Sequence, residues 1–247
     1  MTALGKTLQV PVAEPAHYRK NFIRLAVCEL RFPTLLELET RAPIQFQKAI
    51  RQGFPIYERA TDVNMNVGGV ARAAVHRFRS KAGGAWTVSM RQSALTLETT
   101  HYESFDTFLR RLAFIAEAAA STIESNFLTR VGLRYVNSLQ VEQQDLEGWV
   151  NPTLVQPLVD GTFGAVTNYL QQVVGATEVG GYVFRHGTDV DDTGRSAYTL
   201  DVDFFAENAE TTEVSELVTD LHARAYSLFA WAIGPKALQF LQGEGKT

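Results

Sequence analysis

A single cysteine, Cys28, stands in 247 residues. That excludes an internal disulfide, a CxxC redox motif and any Cys/His zinc cluster. A lone thiol fits a reducing compartment, so a soluble cytoplasmic protein is expected. No apolar run approaches the ~20 residues that cross a bilayer. The longest candidate, Leu112 to Ala120, is interrupted by Glu117. The opening MTALGKTLQVPVAEP is broken by Pro11 and Pro15 and does not read as a secretory leader. Lysine is scarce, with 6 against 17 arginines, which favours fixed, hydrogen-bonded cations over flexible surface ones. There is no basic excess either. The formal net charge of −4 argues against a dedicated nucleic-acid coat, although it permits a local basic face.

What is present is an ordinary globular composition, 45% hydrophobic and 20% charged, which is far from the disordered regime. Fifteen Phe, eight Tyr and three Trp supply large apolar groups for a core. The pattern alternates between strand and helix periods. Residues 1–20 read as an irregular arm. FIRLAVCELRF (22–32) reads as a strand ended by Pro33, and 43–52 as a short helix capped by Gly53. FPIY (54–57) reads as a loop. Residues 70–100 read as a meander of three strands, Val70–Arg79, Ala85–Arg91 and Ala94–Thr100, with glycines 83 and 84 at the first turn. A long helix at 104–125 starts at Ser104 as N-cap and carries an apolar stripe from Phe105 to Ile123. A strand follows at 127–141.

Residues 142–160, polar and proline-containing, read as a linker between a first half, 21–141, and a second, 161–247. The second half offers strands near 163–174, at 180–186 and from Ser196 to Phe205, then a helix at 212–233 broken by Gly234-Pro235. Both halves therefore read as three strands followed by a long amphipathic helix. The expected class is α+β, with antiparallel sheets, long amphipathic helices packed on one face, and a duplicated βββα unit within one compact molecule.

Few constellations carry chemistry. Asp201 and Asp203, two apart on a strand, share a face about 7 Å apart. Such a pair binds a divalent cation or splits its pKa values. The plainer reading is the solvated face of a half-exposed strand. Asp189, Asp191 and Asp192 have the composition of a calcium loop, but position twelve is Leu200 and a hairpin turn explains them better. Glu37 and Glu39 form an E-x-E pair with Arg41 in the basic slot, without the inward-facing cations of a triphosphate tunnel. Arg72, Arg77, Arg79 and Arg91 fall on adjacent strands with His76 among them, and Arg130 and Arg134 share a strand face. These suggest a patch for phosphates or an acidic partner. No aromatic platform for RNA accompanies them. The five histidines show no metal spacing and no G-x-S-x-G elbow is present. Cys28 sits mid-strand, where buried thiols are inert.

Three segments together are distinctive: FIRLAVCELRFP (22–33) with GFPIY (53–57), RVGLRYVNSL (130–139), and YTLDVDFF (198–205) with LHARAYSLFAWAI (221–233). In this combination the chain resembles a sporadically distributed family of bacterial proteins that carries no agreed activity, cofactor or catalytic residue. The resemblance implies a shared fold and a prokaryotic origin. Sporadic distribution is typical of accessory genes, phage-defence and toxin–antitoxin loci among them.

Three functions are weighed. The first is a non-catalytic interaction or sensor protein without a cofactor, binding a protein partner or small ligand through Arg130, Arg134, Tyr135, Asn137 and Trp149, with a cleft between the halves as the natural site and a homodimer compatible. The second is a metal-dependent phosphodiester hydrolase in which Asp201 and Asp203 converge with a third acid such as Glu98 or Asp189. The third is a nucleic-acid binder using the Arg72–Arg91 hairpin. The first is preferred.

Overall fold

The computed structural model describes residues 8–66, 69–81, 85–164, 166–190 and 194–243, with side chains at 63–72 outside the description. The elements in chain order are β1 (Ile23–Arg31), α1 (Ile44–Ile50), β2 (Ile56–Asn66), β3 (Gly69–Arg79), β4 (Trp86–Arg91), β5 (Ala94–Thr99), α2 (Phe105–Ile123), β6 (Phe127–Leu139), α3 (Pro152–Val159), β7 (Leu170–Ala176), β8 (Gly180–Val190), β9 (Ser196–Glu210), α4 (Val214–Ala232) and α5 (Pro235–Gln242). The nine strands form one sheet in the order β2-β3-β4-β5-β1-β6-β9-β8-β7. The class is α+β with an antiparallel sheet, as the alternating periods require. The elements run β1-α1-β2-β3-β4-β5-α2 and then β6-α3-β7-β8-β9-α4, so the second series lacks one strand of the first. By internal contacts the chain forms two compact units, one of residues 1–24, 134–205 and 220–247, the other of residues 25–133 and 206–219.

In the second of these units, cross-strand register builds the core row by row. Phe78 pairs with Val88, Val88 with Leu97 and Leu97 with Cys28, and all four are fully buried. Helix α2 forms because Phe108, Leu112, Ile115, Ala119 and Ile123 recur at 3/4 spacing and are all buried. Ser104 caps it, accepting from the Thr107 N–H at 3.2 Å. Trp86 of β4 meets Phe108 at 5.8 Å between ring centroids, and Phe46 of α1 meets Phe78 edge-on at 5.4 Å. His76 lies in the next row, fully buried, opposite Met90. Its Nε2 donates to the Leu38 carbonyl at 2.8 Å, so Nδ1 is the acceptor for the Tyr57 hydroxyl at 3.0 Å.

Two expectations change. Residues 56–66 are a strand, because β2 pairs with β3 over eleven positions from Ile56↔Arg79 to Asn66↔Gly69. Its charged, edge-strand sequence hid that. Residues 142–160 are not a bare linker. Pro152 opens α3, where its missing N–H costs nothing, and Leu146, Val150, Leu154, Val155 and Leu158 are buried. Asn151 fastens the segment to the end of α4: its N–H donates to the Ala232 carbonyl and its side-chain amide to that of Trp231, each at 2.8 Å. Trp149 is half-buried with its ring 6.2 Å from Phe240 of α5.

Gly187 of β8 fixes a close approach. A Cβ there would collide with the backbone carbonyl of Tyr169, so Gly187→Ala forces the neighbouring strand to shift. A loss of about 1–3 kcal/mol is expected, read as a lower urea midpoint at unchanged m-value.

Candidate functional site

The site is built on β8, β9 and the start of the second part of β6, all within residues 134–205. Strand β9 alternates: Tyr198, Leu200, Val202 and Phe204 are buried hydrophobes, and Thr199, Asp201 and Asp203 take the other face. Asp201 is not solvated. It is only 5% exposed, because arginines from both neighbouring strands close over it. Arg134 of β6 grips it with a two-pronged fork, Nε to Oδ1 at 2.7 Å and Nη2 to Oδ2 at 2.8 Å. Arg185 of β8 adds a contact from Nη1 to Oδ2 at 3.4 Å, while its Nε donates to Gln172 Oε1 of β7 at 2.6 Å. The hydrogen bonds that Arg134 donates to Asp201 raise the arginine's pKa above its ordinary value, against the opposing effect of burial. Asp203, half-buried, also attracts Arg134.

Behind these charges stands an aromatic group. His186 Nδ1 lies 2.7 Å from the Tyr198 hydroxyl, both side chains buried. Phe184 stacks on the imidazole at 5.1 Å and Tyr169 lies at 6.2 Å. Burial pushes the His186 pKa down to about 4 and raises that of Tyr198 well above the ordinary phenol value. At neutral pH the phenol therefore keeps its proton and the imidazole is neutral, so the two share one hydrogen bond between uncharged groups.

These residues border a cavity of about 510 Å³, lined by Arg185, His186, Tyr198 and Asp201 together with Asp189, Ser196 and the apolar Leu146, Leu170 and Val190. Asp189 accepts from the Thr199 hydroxyl at 3.3 Å and lies 4.0 Å from Arg24. The cavity therefore offers a half-exposed guanidinium, neutral donors and acceptors, and an apolar wall.

Several sequence expectations are relocated. Tyr135 and Asn137 are not exposed contact residues. They are 6% and 3% exposed, and they face away from Arg134. Tyr135 reaches His222 of α4 at 3.1 Å, and Asn137 donates to the Leu200 carbonyl at 3.3 Å. Arg130 lies over Gly132 and pairs with Glu29 at 3.3 Å. Arg77 and Arg91 share Asp62, and Arg79 pairs with Glu58. That face alternates in sign instead of presenting a basic run. Arg72, Asp191 and Asp192 lie outside the described side chains. Among the described residues no group of three or more His, Cys, Asp or Glu is placed to share a metal, and none of them supplies a third acid beside Asp201 and Asp203. Glu39 spends its carboxylate on the Ala74 N–H at 3.1 Å. No helix of the described residues is long and apolar enough to cross a membrane.

Arg185, His186, Tyr169 and Tyr198 went unflagged in the sequence. A signal for one existed: period-2 alternation in GYVFRHG puts His186 on the same strand face as Phe184, an inward position for a titratable group. Comparison with protein-family models, curated proteins and solved structures finds no match for the chain.

Two outcomes are expected here. Asp201→Asn removes the acceptor that two guanidiniums share and costs about 1.5–3 kcal/mol, the range for hydrogen bonds to charged groups. Arg185→Ala costs less, since the Arg134 fork remains. Chemical denaturation of both variants checks the order. His186 gives a pH effect. Its folded pKa lies near 4, below the ordinary 6.5, so the unfolded chain binds the extra proton between those values. The stability from the neutral ring is complete above about 6.5 and is lost as pH falls towards 4. In His186→Gln the slope of melting temperature against pH should flatten across that window.

Proposed function

We propose that this protein is a non-catalytic binding or sensor protein whose small-molecule ligand occupies the cavity on β8 and β9. The ligand is an organic anion, a carboxylate or a phosphate ester. The observation that carries this reading is the half-exposed guanidinium at the cavity. Both Asp201 oxygens are taken by the bidentate Arg134 fork, so the second guanidinium on Asp201, that of Arg185, adds only one longer contact at 3.4 Å. Its side chain is 38% exposed, open enough for an incoming oxyanion. A guanidinium already oriented by Gln172 and Asp201 binds such a group with little ordering cost. The apolar wall suits the body of the ligand. A role in a prokaryotic accessory system, of the defence or toxin–antitoxin kind, accords with the family resemblance, and a protein partner would then read the occupied state.

A thermal-shift screen of the purified chain against carboxylates, sugar phosphates and nucleotides tests this. A ligand specific for the folded state adds ~2.7 kcal/mol at 100 times its dissociation constant. At least one anion should raise the melting temperature of the wild type and lose at least tenfold in affinity with Arg185→Ala. Equal shifts in the two proteins would place the ligand elsewhere, and a silent panel would remove the small-anion reading. A divalent-metal shift abolished by Asp201→Asn would favour hydrolysis.

A further inference from the structure

Strand β7 ends the sheet, hydrogen-bonded on one side to β8 through the register Leu170↔Gly187 to Ala176↔Gly181. Among the described residues its other edge meets no strand. Six of its seven residues are exposed and the seventh is half-exposed, so neither face of the ribbon is covered. An edge of this kind presents a row of unsatisfied N–H and C=O groups, which proteins normally guard with charges, proline or a bulge. The opposite edge is guarded: β2 carries Glu58, Arg59 and Asp62. Strand β7 reads LQQVVGA, with no charge and no proline. The strand itself carries exposed large hydrophobes: Leu170 at 69%, Val173 at 46% and Val174 at 65%.

We infer that β7 is a homotypic docking edge, pairing antiparallel with β7 of a second copy of this chain across a two-fold axis. Charge decides the occupant. A two-fold antiparallel pairing sets the strand against its own sequence, with the axis residue against itself, so a strand of one charge sign would repel its copy. β7 alone of the two sheet edges carries no charge. With the axis at Val173, Leu170 faces Ala176, Gln171 faces Gly175 and Gln172 faces Val174, uncharged throughout. The seven residues span about 23 Å at ~3.3 Å each. Gln172 is held by Arg185 Nε of β8 at 2.6 Å, which ties the strand to its inner neighbour before a partner arrives. This inference is independent of the ligand reading.

Light scattering coupled to size exclusion, run across a dilution series, tests it. The wild type should approach twice the 27.4 kDa chain mass at high concentration and dissociate on dilution. Val173→Glu and Val173→Lys should each stay monomeric with unchanged circular dichroism and melting temperature, and an equimolar mixture of the two should recover the dimer. A second variant reports position: Val173→Cys should form a disulfide-linked dimer on mild oxidation, since the native Cys28 is fully buried. A wild type that stays monomeric at every concentration overturns the inference. So does a dimer that survives both charge variants, or one that Val173→Cys fails to cross-link.

Discussion

The carboxylate of Asp201 is buried in the middle of a strand, and taking a charge out of water costs several kcal/mol unless it is paired and hydrogen-bonded. β9 can hold it only because β6 and β8 lie on either side and each brings an arginine. Arg134 supplies the matching fork and Arg185 the second contact. The clamp ties three adjacent strands at one point, and much of this part of the molecule follows from it. It fixes which way Arg185 points, and through Arg185 it reaches Gln172 on β7. It also explains the preference for arginine over lysine: a planar, two-pronged cation satisfies both carboxylate oxygens, whereas an ammonium satisfies them singly.

The same strands turn a different chemistry to their other face. Tyr198 is three residues from Asp201, and its hydroxyl is spent on His186, whose imidazole burial keeps unprotonated. Charged groups and neutral polar groups thus border one cavity from adjacent strands, with Leu170 and Val190 adding apolar surface. Burial moves the two groups in opposite directions, histidine down and tyrosine up, so both are neutral at pH 7.

The two ends of the sheet handle exposed backbone differently. β2 is long and charged, and its Glu58 and Asp62 pair with arginines of β3 and β4. β7 is short, uncharged and open on both faces. Glycine contributes to that openness: Gly175 lies against the Tyr182 ring and Gly181 against Phe205, so aromatic side chains of the inner strands rest on bare backbone near the edge.

Strong periodicity was legible in the sequence. The α2 stripe from Phe108 to Ile123, the meander of β3 to β5 and the alternation of β9 are local patterns, because helix and strand repeats are set by backbone geometry. The sequence alone therefore determined the α+β class, the Ser104 cap and the shared face of Asp201 and Asp203. It missed β2, whose identity rests on eleven cross-strand pairs instead of an apolar pattern, and α3, whose prolines read as a linker. The site was decided by tertiary structure. Arg134 and Asp201 stand 67 positions apart in the chain and His186 and Tyr198 stand 12 apart, and no local rule links them. Whether an aspartate on a strand is solvated or buried depends on what the neighbouring strands bring alongside it, and strand order is a property of the whole sheet.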